Sequence, residues 1–195
     1  MFHMSMQITL ISGSAQENSR TLALLNHIKG LLEKRDVQVV IWDLYERPLP
    51  IVMPEYHDNP IETPDKTVQE FNLLVQNSDA IVLGTPLYHG SYSGILKNAL
   101  DNLGADAFKN KPVGLVSVAG GMPSVQALEH LRSVVRTLYG YGLQTQIGTS
   151  KEDYVFLNTT LAVKNPEVKQ RSMRFVEELF VLTSLLIHKK RFTQI

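Results

Sequence analysis

The sequence predicts an α/β fold, a three-layer sandwich in which a five-stranded parallel sheet is covered by helices on both faces. Short apolar, β-branched runs alternate along the chain with segments of helical periodicity, which is the pattern of a parallel sheet. Two of the runs, Ala80–Leu83 and Pro112–Val118, are apolar enough to be buried on both sides. Three of the runs end in loops rich in Gly and Ser, as strands do where open α/β sheets bind ligands.

The composition indicates one globular domain and excludes several functional classes. The 195 residues carry 19 basic and 19 acidic side chains, so no net charge favours nucleic acid or an anionic membrane as a partner. The chain has no cysteine, which removes disulfides, thiolate metal sites and thiol catalysis, and no other metal site is predicted. We expect an N-terminal extension at 1–6, a single domain at 7–189 and a tail at 190–195.

Localisation is predicted from the apolar segments. Residues 1–6 are too short for a signal peptide and have no basic region. The longest apolar run, Leu179 to Ile187, is far short of the roughly 20 residues that span a bilayer. We therefore expect a cytoplasmic protein.

The first strand, Gln7–Ile11, leads into a polar loop, Ser12–Thr21, and then a helix with an apolar face. Backbone amides at a helix start have no internal partner and favour an anion, so the loop is typical of phosphate binding. Helix capping by Asn18 or Ser19 uses the same residue types and remains an alternative. Neither a G-x-G-x-x-G nor a P-loop motif is present, which favours a single terminal phosphate over a pyrophosphate.

The middle of the chain holds the second and third strands. Val37–Trp42 is the second strand, and the five prolines of the 43–64 segment exclude a regular helix there. This long loop is apolar, so we expect it to pack over another surface, such as that of a second subunit. A helix over Asp65–Gln76 follows, and the third strand runs into the segment Gly84–Leu103, which joins a loop of Pro, Tyr, His, Gly and Ser to an amphipathic helix.

The last part of the chain is predicted to complete the sheet. The fourth strand, Pro112–Val118, ends in a third glycine-bearing loop, 119–124, and a helix follows with Val125, Leu128, Leu131, Val135 and Leu138 inward. Leu143 to Ile147 is the predicted fifth strand. A final helix over Pro166–Lys189 is expected to bury Val168, Met173, Val176, Leu179, Phe180 and Leu186.

Right-handed crossovers leave two strand orders for such a sheet. One is the flavodoxin-like order 2-1-3-4-5, whose switch point lies between strands one and three. In that order the loops at 12–21 and 86–91 open into one crevice, and the Gly120–Gly121 turn lies beside them.

Three motifs in these loops resemble those of the NAD(P)H-dependent FMN reductase family of flavodoxin-like flavoproteins, over about residues 7–149. The first is Gly13-Ser14-Ala15-Gln16 with a serine at 19, and the third is the Gly-Gly turn. The second and most specific is the run PLYHGSYSGILKNALD from Pro86 to Asp101. The chain departs from the family pattern at Gln16, Leu87 and His89, where Arg, Glu and Asn are usual.

The resemblance implies one FMN per subunit, with NAD(P)H as hydride donor and a small acceptor such as free flavin or a quinone. The implied phosphate ligands are Ser14, Gln16, Ser19, Arg20 and Thr21. The ring is expected against Pro86, Leu87, Tyr88, His89 and Gly90, with Ser117, Gly120 and Gly121 along its pyrimidine side. A homodimer or homotetramer is implied as well.

The cofactor carries the chemistry in such enzymes, so no catalytic side chain is assigned. His89 is a candidate proton donor, or it only lines the site as a polar side chain. The sequence leaves NADH and NADPH open, and it does not name the acceptor. Two other functions are considered: a flavodoxin-type electron carrier, which the zero net charge disfavours, and a non-catalytic binding module that lost its flavin.

Overall fold

The computed structural model describes residues 6–123 and 125–192, with the side chains of residues 189–192 excepted. Residues 1–5 of the expected N-terminal extension, Ser124 of the third loop and residues 193–195 of the expected tail lie outside the described residues. Within the described residues, no helix has both the length and the hydropathy needed to span a membrane.

Among the described residues, six strands form the central sheet. They are β1 (Gln7–Ser12), β2 (Gln38–Asp43), β3 (Ala80–Pro86), β4 (Pro112–Ala119), β5 (Tyr141–Gly142) and β6 (Ile147–Ser150). All pairings are parallel, in the order β2-β1-β3-β4-β5, and β6 pairs with the carboxyl half of β4. The predicted order 2-1-3-4-5 is therefore confirmed.

The helices form the two outer layers. They are α1 (Arg20–Glu33), α2 (Lys66–Asn77), α3 (Gly94–Asp101), α4 (Gln126–Thr137) and α5 (Pro166–Phe192). One apolar cluster joins α1 and α5 to the sheet, and a second joins α2, α3 and α4 to its opposite face. The buried apolar area on both faces of every central strand explains why β3 and β4 are continuous hydrophobic runs.

The fifth strand predicted at Leu143–Ile147 is wrong as a single element. Two short strands, β5 and β6, share the place beside β4, and the segment between them is bound by side chains instead. Arg132 donates to the carbonyls of Leu143 and Gln144, and Glu178 accepts from the amides of Gln144 and Thr145. Because these backbone groups are already satisfied, the segment does not pair as a strand.

The inner face of the last helix also differs from the prediction. Met173 is 53% exposed, whereas Phe175, which the prediction left out, is fully buried. Residues two apart on a helix point to different sides, so only one of them faces the sheet. Gly114 of β4 makes room for Phe175, because a Cβ at Gly114 would lie 2.2 Å from the phenyl ring. Val125, also predicted inward, precedes α4 and is exposed.

A small hairpin was not predicted from the sequence. Strands β7 (Tyr154–Leu157) and β8 (Thr160–Val163) pair antiparallel and lie against α1. Three of its residues, Val155, Phe156 and Leu157, are exposed, so the segment lacks the apolar-in, polar-out alternation by which a strand is recognised.

The proline-rich segment at 43–64 packs on α3 of the same chain. It contains two short 3₁₀ helices, Pro54–Tyr56 and Pro60–Glu62. Asn98 donates to the carbonyls of Leu49 and Pro50, and Asn102 donates to that of Pro50. Helix α3 therefore fixes the proline-rich segment next to the carboxyl edge of the sheet.

Candidate functional site

Three loops meet at the carboxyl edge of the sheet, beyond β1, β3 and β4. The Ser93 hydroxyl donates to the carbonyl of Gly13, and the amide of Leu87 donates to the carbonyl of Val118 at 2.8 Å. These contacts place the loops side by side around one crevice. They are the first loop (13–19), the second loop (87–93) and the third loop (120–123).

Gly13 brings the first loop close to the second. Its amide donates to the carbonyl of Gly84 at 2.8 Å. A Cβ at Gly13 would lie 2.7 Å from the Cβ of Leu96 and 2.8 Å from the Gly84 oxygen, distances that side chains do not tolerate. Only glycine therefore allows α3 to pack directly under the first loop.

The first loop ends in the N-cap of α1. The Ser19 hydroxyl accepts from the amide of Leu22 at 3.0 Å, so Ser19 is the cap, and Asn18 before it has a φ of 50°. Ser19 is thus engaged in capping. In the described part of the chain the amides of Arg20 and Thr21 donate to no protein acceptor, which leaves the positive end of the helix open at the crevice.

Unpartnered polar atoms collect at this helix start. The Nε of Arg20 and the hydroxyl oxygen of Ser12 are buried without a hydrogen-bond partner. Ser14 is buried and accepts only from the Gln16 amide, at 3.3 Å, so its own proton has no protein acceptor among the described residues. Hydroxyl donors and a guanidinium on the segment that leads into α1 fit a bound oxyanion.

The second loop is a two-residue hairpin turn. Tyr88 and Ser91 exchange both backbone hydrogen bonds, at 2.9 and 3.0 Å. His89 and Gly90 between them have φ values of 47° and 80°, the combination that defines a type I′ turn. The turn presents His89 and the half-exposed Tyr88 ring to solvent, while Pro86 below them is buried.

Two contacts from α4 support this turn. The Ser91 hydroxyl lies 3.0 Å from Nδ1 of His130, and a Cβ at Gly90 would lie 3.2 Å from the side-chain nitrogen of Gln126. Sequence reasoning did not include His130 or Gln126, since both lie on the exposed face of an ordinary amphipathic helix. Only the strand order brings that face against the second loop.

The third loop leaves open space at the crevice. Gly120 and Gly121 are exposed, and a Cβ at either position would meet no other atom within 4 Å. Ser117 is different, because it is fully buried inside β4 and pairs in register with Thr85. The structure thus groups the predicted residues around the three loops, but the side chains of Thr21 and Pro86 are buried there as well as that of Ser117.

A buried polar chain stands behind the crevice. Thr149 donates its hydroxyl proton to the carbonyl of Ser117, so the Tyr154 phenol must be the donor in its 2.8 Å bond to Thr149. Burial raises the pKa of Tyr154, and the nearby Arg20 charge opposes this only weakly, so the phenol stays protonated. No sequence signal identified Tyr154, because it belongs to the hairpin that was not predicted.

The crevice contains hydrogen-bond donors and one guanidinium but no cluster of carboxylates. In the part of the chain that the structure describes, no three His, Asp or Glu side chains are grouped so as to hold a metal ion. What the arrangement offers chemically is an anion site at one end and, at the other, aromatic and backbone surfaces suited to a flat ring.

Comparisons with known proteins agree with this architecture. The model of a family described as NADPH-dependent FMN reductase matches residues 6–152. The chain is 42% identical over 184 residues to an FMN-dependent NADPH-azoreductase of Staphylococcus saprophyticus, which covers 93% of this chain and 98% of that protein.

Solved structures show the same fold. The apo form of an NADH:FMN oxidoreductase superposes with a TM-score of 0.72 at 22% identity, over 90% of this chain and 88% of that one. A flavodoxin from the domain Archaea gives a TM-score of 0.61 at 11% identity, over 92% of this chain and 99% of that one. These similarities confirm the flavodoxin-like architecture.

Proposed function

Since the chain belongs to the NADPH-dependent FMN reductase family, it is an FMN-dependent NAD(P)H oxidoreductase, and we propose that its FMN binds in the crevice of the three loops. The proposal assigns FMN binding to the single domain of residues 7–189. When bound, FMN supplies the hydride-accepting centre, and the protein supplies placement and hydrogen bonds.

The FMN phosphate is assigned to the first loop and the start of α1. The observation that carries this assignment is the buried Nε of Arg20, which has no hydrogen-bond partner among the described residues, at a helix start whose first two amides donate to no described acceptor. Arg20 supplies the charge that the family pattern places at residue 16, where this chain has an exposed Gln. The proposed phosphate ligands are the side chains or amides of Ser14, Gln16, Ser19, Arg20 and Thr21.

The isoalloxazine ring is assigned to the second and third loops. Both glycines of the third loop leave room for a ring to approach the backbone. The turn at His89 and Gly90 brings Tyr88 to the rim, where it can contact the ring or a substrate stacked on it. The proposed ring contacts are Pro86, Leu87, Tyr88, His89, Gly90, Gly120 and Gly121, with Ser117 contributing from beneath.

The proposed acceptors are flat conjugated molecules: azo compounds, quinones and free flavin. The named relatives are azoreductases, and the rim carries the exposed faces of Tyr88 and His89, which suit planar substrates. His89 lies on the solvent side of the turn, and no hydrogen bond or ion pair with another described residue orients its side chain, so we assign it to substrate contact rather than to catalysis.

Titration with FMN and riboflavin tests the phosphate site. Arg20→Gln removes a charge-assisted bond to phosphate, so we expect FMN to bind about tenfold or more weakly and riboflavin to bind with unchanged affinity. Arg136→Gln is the matched control, because Arg136 lies in the last turn of α4, away from the first loop. If Arg20→Gln weakens the binding of FMN and riboflavin equally, or weakens neither, Arg20 does not bind the phosphate.

Steady-state assays separate the enzyme from the other two functions. The FMN-loaded protein should oxidise NADPH continuously when a quinone or an azo dye is supplied. A loaded protein that stays idle with these acceptors but passes electrons to a protein partner would be a carrier. A protein that does not bind FMN in titration would be a non-catalytic binding module.

The proposal includes a homodimer or homotetramer in the cytoplasm. The exposed Phe156 and Leu157 of the hairpin give an apolar surface that association would cover. Nicotinamide nucleotides are cytoplasmic reductants, which suits the proposed donor. Sedimentation equilibrium of the protein and of the Phe156→Ser variant checks the assembly, since we expect the variant to shift toward monomer.

A further inference from the structure

A second cavity lies outside the crevice, at the edge of the sheet where β6 faces the first turns of α5. Its volume is about 370 Å³, within the range of small-ligand sites. Gly148 of β6 and Asn165, Arg171 and Arg174 line it, together with Pro123. Pro123 closes the described part of the third loop, so the cavity adjoins the proposed flavin site.

Two guanidinium groups line this cavity without acidic partners. The Nε of Arg171 donates to the carbonyl of Gln146, which fixes its position and leaves its terminal nitrogens without a protein acceptor among the described residues. Arg174 reaches only the side-chain oxygen of Gln170, at 3.3 Å. Neither arginine takes part in an ion pair within residues 6–123 and 125–192.

Among the described residues, the two acidic side chains at the cavity form no ion pair with these arginines. One oxygen of Asp153 accepts from the amide of Ser150 and the other from Asn165, so this buried carboxylate is already satisfied. Glu167 is exposed and forms no ion pair with either arginine. The cavity therefore holds two guanidinium groups that have no acidic partner within the described residues, together with the buried carboxylate of Asp153 and the exposed carboxylate of Glu167.

We infer that this cavity binds the 2′-phosphate of NADPH through Arg171 and Arg174. The inference rests on the proposed function, in which a nicotinamide nucleotide approaches the crevice. The 2′-phosphate lies at the end of that nucleotide opposite the nicotinamide. With the nicotinamide over the third loop, the 2′-phosphate would lie beyond Pro123. A phosphate dianion can accept hydrogen bonds from both guanidinium groups, whereas NADH has no 2′-phosphate to bind there.

Calorimetry on the full chain tests the site without reference to turnover. The probes are adenosine 2′,5′-bisphosphate and 5′-AMP, which differ only in the 2′-phosphate. We expect the bisphosphate to bind at least about tenfold more tightly to the wild-type protein and this preference to disappear in Arg174→Gln. Arg174 makes one long bond within its own helix, so its removal leaves the fold intact, and Arg136→Gln is the charge-matched control.

A variant of opposite sign sharpens the test. Glu167→Gln removes the negative charge at the border of the cavity, so the preference for the bisphosphate over 5′-AMP should increase. Arg136→Gln removes one charge away from the cavity, so it should leave this preference unchanged. In kinetics, the ratio of kcat/KM for NADPH to that for NADH should fall about tenfold in Arg174→Gln.

Several outcomes would overturn the inference. It fails if the bisphosphate preference survives both Arg171→Gln and Arg174→Gln, or if inorganic phosphate displaces the bisphosphate as effectively as the nucleotide itself. If the wild-type protein oxidises neither NADPH nor NADH, the proposed function fails, and the calorimetric preference still decides whether this cavity reads a 2′-phosphate.

Discussion

His89 and Gly90 show how much a single residue's backbone decides in this protein. Both residues must adopt positive φ for the type I′ turn that presents Tyr88 to the crevice. Glycine does this freely, and Asn is the non-glycine residue that tolerates it best, which gives a physical reason for the family preference for Asn at the first position. His89 therefore holds a backbone conformation that its residue type disfavours.

Two substitutions in this turn should differ in their effect on stability. Gly90→Ala places a Cβ on a residue with a φ of 80°, 3.2 Å from Gln126, so we expect the free energy of unfolding to fall by about 1–2 kcal/mol. His89→Asn should leave it equal or slightly higher. Urea denaturation of the flavin-free protein measures both.

Gly94→Ala is the matched control for Gly90→Ala. Gly94 is the first residue of α3, and a Cβ there would meet no atom within 4 Å, so alanine should not destabilise the protein. If Gly90→Ala is as stable as Gly94→Ala, the turn does not have the backbone described here.

At the level of the element, the pattern of apolar residues predicted the long elements well. Buried parallel strands such as β3 and β4 have a signature that no exposed segment shares, and the helices follow their 3.6-residue period. The prediction failed at 143–147, where hydrophobicity alone indicated a strand. Whether that segment pairs depends on Arg132 and Glu178, which come from α4 and α5 and are distant in the sequence.

Glu178 is the side chain on which this segment depends most clearly. Partial burial by itself raises its pKa, but hydrogen bonds from Thr145 and Gln144 and the charge of Arg132 hold the pKa of Glu178 below its ordinary value of 4.5. Its folded pKa is depressed, so the stability that it contributes is present above pH 4.5 and is lost as the pH falls through the folded pKa.

Glu178→Gln should therefore destabilise the protein in a pH-dependent way. The neutral amide accepts more weakly than a carboxylate, so we expect a loss of about 1 kcal/mol at pH 7 that shrinks on acidification below pH 4.5. Denaturant midpoints at pH 7 and at pH 4 measure this difference. Glu177→Gln, which removes only an exposed ion pair with Arg35, should cost less; an equal cost would mean that Glu178 does not fix the segment.

At the scale of the whole molecule, the candidate site is a product of topology. The motifs predicted which loops lie together, because a strand order of 2-1-3-4-5 brings those loops to one edge. The motifs did not predict the side chains that lie behind these loops and support them. Tyr154, Thr149 and His130 act through tertiary contacts between elements far apart in the chain, and local periodicity carries no information on such contacts.

The same topology makes a final prediction about FMN and global stability. The three loops are held to one another by few direct hydrogen bonds, and a cofactor that touches all of them binds only the folded chain. FMN at 100 times its Kd should then raise the free energy of unfolding by about 2.7 kcal/mol, and a further tenfold excess should add about 1.4 kcal/mol. Thermal or urea unfolding across an FMN series measures this increase.

Riboflavin separates the contribution of the phosphate from that of the ring. At the same total concentration riboflavin should stabilise the protein less than FMN, because it leaves the first loop and the Arg20 guanidinium without their anion. In Arg20→Gln the FMN curve should move toward the riboflavin curve, while Arg136→Gln follows the wild type. Identical curves for FMN and riboflavin in the wild-type protein would show that the first loop does not bind the FMN phosphate.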